Sequence, residues 1–114
     1  MKSGTRVAGS SDCPIVPPNP LKGIYSAVSR LAEGGEVIPP VEERITLPEA
    51  LRMYTDEAAR TTFEEMIKGS ITPNKVADLI ILNKDLSNLP LDEIKDLEVE
   101  MTILNGEIVW EKRA

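Results

Sequence analysis

Asp12 is the acid best placed to do chemistry in this chain. It follows Arg6-Val7-Ala8-Gly9-Ser10-Ser11, a short apolar run that meets small residues, and precedes Cys13-Pro14 and a proline-rich loop. That pattern predicts a buried strand over residues 6–11, with one carboxylate at the C-terminal end, where parallel-sheet enzymes place their active sites. A carboxylate there can serve as a hard metal ligand or as a general base. The alternative is a loop acid that caps the following turn through its own backbone N–H groups. Taken alone, the residues leave both readings open.

The other candidates point to structure. The chain contains no histidine, which removes Ser-His and Cys-His nucleophile pairs and every histidine-based metal site. Cys13 beside Asp12 does not complete a site. Adjacent side chains on an extended segment point to opposite sides, and two ligands fall short of the usual three or four. Cys13 is read as a small buried side chain. Asp78, before an apolar run, reads as a turn or strand-edge acid. Glu42-Glu43 and Glu64-Glu65 read as solvated faces, and Trp110 as a cover for a small sheet. Gly34-Gly35 has no strand before it and no Lys-Ser/Thr after it, so it is not a phosphate loop.

Composition narrows the function classes. The sequence has 114 residues, 41% apolar and 28% charged, with one Trp, two Tyr and one Phe. That is one domain's worth of chain with a modest aliphatic core. A net charge of −6 without a basic cluster argues against nucleic-acid binding, which needs concentrated Lys and Arg. No run approaches the roughly 20 apolar residues of a membrane span. Met1-Lys2-Ser3-Gly4-Thr5 lacks the apolar region of a signal peptide. With one cysteine there is no intrachain disulfide, and a cytoplasmic location is the default expectation.

The elements that would position Asp12 follow in order. Pro14 to Pro20 holds four prolines in seven residues, a stiff extended loop. Asn19 as N-cap and Pro20 at the first helical position open a helix over 20–33. Leu21, Ile24, Tyr25, Val28 and Leu31 form one apolar stripe on it, and Gly34-Gly35 stops it. Thr46-Leu47-Pro48-Glu49 fits a capping box. It predicts two short helices in tandem, 47–53 and 56–66, closed by Lys68-Gly69. From Ser70 the period becomes strand-like. Ile71 begins a short strand, Thr72-Pro73-Asn74-Lys75 is a turn, and Ala77 to Leu82 reads as a strand buried on both faces. Leu91 to Ile94 suggests one helical turn. Glu98 to Leu104 and Glu107 to Glu111 form a hairpin around Asn105-Gly106, with one buried and one wet face.

Read together, these segments resemble one family. The pattern is Gly9-Ser10-Ser11-Asp12-Cys13-Pro14, then Pro18-Asn19-Pro20-Leu21 with Gly23-Ile24-Tyr25, Val28 and Arg30. Arg44, Thr46-Leu47, Glu49-Ala50-Leu51, Tyr54-Thr55 and Phe63-Glu64 come next. Lys68-Gly69-Ser70-Ile71, Pro73, Lys75 and Ala77-Asp78-Leu79 follow, and Met101-Thr102-Ile103 with Asn105-Gly106 close it. This resembles the C-terminal portion of a metal-dependent amidohydrolase, in the branch that contains N-substituted formamide deformylase. The order and spacing of the whole set make the likeness specific.

The resemblance implies an α/β fragment. Residues 1–69 would hold the last strand and helices of a (β/α)8 amidohydrolase barrel. Residues 70–114 would be the C-terminal part of a small β-sandwich. Residues 6–11 become barrel strand eight, and the first seven strands would lie outside this chain. It also implies a role for Asp12: ligand to the catalytic divalent metal, such as zinc, and carrier of the proton from attacking water to the leaving nitrogen. The family's other ligands are histidines from earlier strands, often with a carboxylate or carbamylated lysine. A metal lowers the pKa of bound water from 15.7 to about 7, worth about 12 kcal/mol of nucleophile activation at about 1.36 kcal/mol per unit. Asp12 alone cannot supply that.

Three expectations compete. The first is a fragment of an amidohydrolase (a truncated reading frame, an expressed fragment or one piece of a split enzyme), inactive alone and needing no cofactor of its own. Its partner would be the missing N-terminal barrel portion. The second is a non-catalytic module that self-associates as a homo-oligomer through exposed strand edges. The third is a small hydrolase working with carboxylates alone.

Overall fold

The helix starts are where the sequence predicts them. In the computed structural model, residues 4–32 and 34–113 are described. Residues 1–3, Glu33 and Ala114 lie outside them, and with them part of the segment read for a leader and the last position of the predicted helix over 20–33. The first helix, α1 (Pro20–Ser29), opens with the Asn19 side chain accepting from the Leu21 N–H at 3.0 Å. It ends earlier than the sequence predicts. Arg30 takes a left-handed conformation with φ 57° and donates its N–H to Ser26 O. The stop is thus made by an arginine at the helix end, ahead of Gly34-Gly35.

The capping box at Thr46 and Glu49 forms in both directions and starts α2 (Leu47–Tyr54). The next helix, α3 (Asp56–Thr61), is shorter than the predicted 56–66, because Phe63 turns left-handed with φ 58°. Ser70 and Ile71 form no strand. The turn at 72–75 is present, closed by Lys75 N–H to Thr72 O at 3.2 Å.

A three-stranded antiparallel sheet follows, in the order β1 (Leu79–Leu82), β2 (Val99–Leu104), β3 (Glu107–Glu111). Asn105 at φ 51° and Gly106 at φ 83° make the tight hairpin turn that needs positive φ at both central residues. The predicted burial of β1 on both faces is not what the fold delivers. Leu79 and Leu82 are half-buried, whereas Ile80 and Ile81 are exposed. A shift in register between Ile81 and Leu82 breaks the alternation there. β2 is half-buried at Val99, Met101 and Ile103, and β3 is exposed throughout. Trp110 pairs with Thr102 and keeps 48% of its surface exposed.

The centre of the molecule is a segment of little apparent weight in the sequence. Leu91–Asp96 forms a 3-10 helix after Pro90, with acids in its first turn and Lys95 in its last, as the helix dipole favours. Its Ile94, together with Leu97, joins Leu21, Ile24 and Ala50 in one buried cluster. That cluster draws on both sides of position 69.

Gly69 is fixed by its surroundings. Its φ is 91°, and an added Cβ would lie 2.8 Å from the Ala59 Cβ and 3.1 Å from both the Asp56 Cα and the Thr55 carbonyl oxygen. Left-handed backbone costs an L-residue roughly 1–2 kcal/mol, and neighbouring backbone cannot yield. Gly69→Ala is expected to lower stability by about 1–3 kcal/mol in urea denaturation, with the helical signal retained in dilute buffer.

Candidate functional site

The Asp12 segment is docked, but it is not a strand. Residues 4–11 have no strand pairing, and most of them are exposed. A strand needs a neighbour to satisfy its backbone groups, and the described residues supply none for 6–11. The predicted buried strand is therefore corrected to an unpaired, largely exposed segment. It is tied to the helical layer by the Gly9 N–H, which donates to Met53 O at 2.9 Å. Arg6 approaches Glu57 at 3.5 Å.

Asp12 itself has φ 53° and opens a turn, its carbonyl accepting the Ile15 N–H at 2.9 Å. Its own N–H donates to Ser10 Oγ at 3.3 Å. The backbone carbonyl, rather than the carboxylate, closes this turn, so the capping reading does not describe it. Asp12 is exposed. Cys13 is exposed too, as a free thiol, against the expected buried side chain. The proline-rich loop lies on the surface here, so no layer of chain covers that thiol.

Most of the other acids singled out in the sequence make structural contacts. Asp78 Oδ1 accepts from the Asn105 N–H at 2.8 Å, pinning the β2–β3 turn to the start of β1. This agrees with its reading as a strand-edge acid. Glu42 and Glu43 are exposed. Glu64 and Glu65 are half-buried rather than freely solvated. Glu64 pairs with Lys68 at 2.6 Å, and hydrogen bonds from Lys68 and then Thr62 hold its carboxyl below the usual range. Glu65 lies 3.7 Å from Arg60.

The contacts of two groups escape the sequence reading. Lys75 Nζ donates to Glu65 O and, at 2.7 Å, to Ser70 Oγ, bracing the loop between α3 and β1. Tyr54 packs against Gly9 and Gly23. The only signal in the sequence for that contact was the pair of glycines. A groove of about 500 Å³ runs between α3 and β1, lined in part by Tyr54, Ala58, Gly69, Ile71 and Ile80.

Among the described residues, no three His, Cys, Asp or Glu side chains converge as metal ligands. Asp12 is one hard donor, and a bound ion needs three or four. The described residues therefore do not fit a metal by themselves. No helix among the described residues is long and apolar enough to cross a membrane.

Comparison with known proteins places this geometry. The model of the amidohydrolase family matches residues 1–110. The chain is 36% identical over 114 residues to a putative amidohydrolase, YtcJ, of Bacillus subtilis, covering 98% of this chain and 22% of that protein. It is 32% identical over 112 residues to the N-substituted formamide deformylase of Arthrobacter pascens, covering 98% and 20%. The crystal structure of an amidohydrolase from Thermotoga maritima matches with a TM-score of 0.66 and 25% identity, over 97% of this chain and 24% of that one. The chain thus spans about a fifth of the length of the curated relatives named here. It belongs to the amidohydrolase family, and corresponds to a C-terminal portion of such an enzyme.

Proposed function

We propose that this chain is the C-terminal part of a metal-dependent amidohydrolase acting on non-peptide C–N bonds of the amide or formamide type. On this reading it is catalytically silent alone. The observation that carries it is Asp12. It stands where the family pattern puts its acid, held on the helical layer through Gly9, yet it has no histidine anywhere in the chain to share an ion with. The formamide branch is supported by likeness to the deformylase of Arthrobacter pascens. In a complete barrel, residues 6–11 would gain a neighbouring strand, and their unpaired backbone groups would be satisfied. Residues 79–111 would join further strands in a sandwich. A cytoplasmic setting fits the single cysteine.

A specific observation favours a second polypeptide. Phe63 is 90% and Ile71 91% exposed, and Met66, Ile108 and Trp110 also stand in solvent. Apolar surface on this scale, beside unpaired strand edges, marks an interaction surface. The partner is an N-terminal barrel portion, or other copies of the chain if it acts as a self-associating module. Nucleic acid and membrane are not among the partners.

The purified chain with added zinc is the test. The expected result is no hydrolysis of an N-substituted formamide above background and far less than one metal per chain, with self-association in light scattering. Turnover that Asp12→Asn abolishes would overturn the reading in favour of a small carboxylate hydrolase. A clean monomer at high concentration would count against the self-associating module.

A further inference from the structure

We propose that Tyr54 is a positioning residue for Asp12. With Gly9 and Gly23 it forms a clamp that fixes both ends of the Asp12 loop to one aromatic ring. The inference rests on the proposed role of Asp12, and it concerns how this chain holds that residue in place.

The geometry runs through two close approaches. A Cβ added at Gly9 would lie 2.5 Å from Cε2 and Cζ of Tyr54 and 2.9 Å from Cε1. The ring therefore lies directly on the backbone of Gly9, where any side chain would collide with three ring atoms. At the other end, a Cβ at Gly23 would overlap the Tyr54 hydroxyl and lie 3.0 Å from Cζ. Gly23 sits inside α1, where glycine is unfavourable relative to alanine. A contact that excludes a side chain accounts for it.

The loop carrying Asp12 leaves the ring at Gly9 and returns to it at Gly23. Between them lie the turn closed by Asp12 O and Ile15 N–H and the Asn19 cap of α1. The upstream end is also held by Met53, the residue before Tyr54, whose carbonyl accepts the Gly9 N–H at 2.9 Å. Tyr54 is itself half-buried against the core cluster. The segment thus takes its order from α2 instead of from strand pairing. A ligand or base must be held to within about 0.5 Å of its working position, and in this chain the ring, together with the Gly9–Met53 hydrogen bond, joins the Asp12 loop to rigid structure.

Amide hydrogen exchange by NMR on the whole 114-residue chain tests this. Tyr54→Leu is expected to lower protection of the Gly9 amide about tenfold or more, a local opening, and to shift the Ser11 and Asp12 backbone resonances. Amides paired between β2 and β3 should stay within about twofold. Tyr54→Phe, which keeps the ring, should hold Gly9 within about threefold of the parent. Gly9→Ala approaches the same contact from the loop side and should loosen residues 9–15 while leaving the hairpin intact.

Four outcomes overturn the clamp. They are an unprotected Gly9 amide in the parent, unchanged protection in Tyr54→Leu, equal losses at Gly9 and throughout β2–β3, and failure of Tyr54→Phe to rescue. If Tyr54→Leu does not fold, Gly9→Ala decides: local loosening supports the clamp, and global unfolding overturns it. The readout needs neither metal nor turnover. A failed clamp therefore leaves the assignment of Asp12 standing, and a failed assignment leaves the clamp measurable.

Discussion

Ile94→Ala is expected to remove about 2–5 kcal/mol of folding stability, a large share of the roughly 5–15 kcal/mol that holds a typical domain together. Ile94 is 2% exposed and is the largest side chain that is fully buried among the described residues. It sits on a 3-10 helix packed against α1, sharing a cluster with Leu21, Ile24, Ala50 and Leu97. Truncation loses the transfer energy of the removed carbons and leaves a cavity that a rigid neighbourhood fills only in part. Six hydrophobic residues are buried among the described residues, so few others share the load. Ile94→Val, which keeps most of the volume, should cost about 0.5–1.5 kcal/mol. Phe63→Ala, at a residue 90% exposed, should stay within about 0.5 kcal/mol in this isolated chain. Urea midpoints of the three variants check the order. A Phe63 variant that costs as much as Ile94→Ala would mean that the core has been misplaced.

That contrast also marks what the sequence could reveal. Local chemistry was legible. Asn19 before Pro20 and Thr46 with Glu49 satisfy nearby backbone groups, and Asn105-Gly106 takes the positive φ of a tight turn, so their elements appear where the residues stand. Asp78 also kept its structural reading, although its partner Asn105 is distant in sequence. Features that depend on a second layer were not legible. The run at 6–11 has strand-like composition but no neighbour to pair with, and the apolar run at 79–82 is covered only in part. Cys13 looked buried because small sulfur side chains usually are, and it is exposed because the loop lies on the surface. Helix ends set by single left-handed residues, Arg30 and Phe63, carry no composition signal. The site followed the same division. Asp12 is proposed from its neighbours, whereas the packing of Tyr54 on Gly9 and Gly23 is not legible in the family pattern that contains it.

The largest effect on activity is expected from Asp12 in a completed enzyme. Asn keeps the size and shape of the side chain but removes the charge that holds a cation and the basicity that takes up a proton. Loss of a positioned acid–base group costs typically about 10²–10⁴-fold in rate, or about 3–5 kcal/mol at about 1.36 kcal/mol per tenfold. On the proposed reading of Asp12 as a metal ligand, loss of that ligand would add to this. Because Asp12 is exposed and its carboxylate closes no turn, Asp12→Asn should leave the fold and stability of this chain within about 0.5 kcal/mol of the parent. A separation of that kind, activity without stability, distinguishes a working acid from a structural one.

The decisive measurement places this chain in the matched C-terminal fifth of the Arthrobacter pascens deformylase, to which it is 32% identical, and follows formate release from an N-substituted formamide. The account predicts an active chimera whose kcat/KM falls by about 10²-fold or more with Asp12→Asn, at unchanged thermal stability. A soluble, metal-loaded chimera that is inactive with Asp12 intact, or equally active after Asp12→Asn, would contradict it.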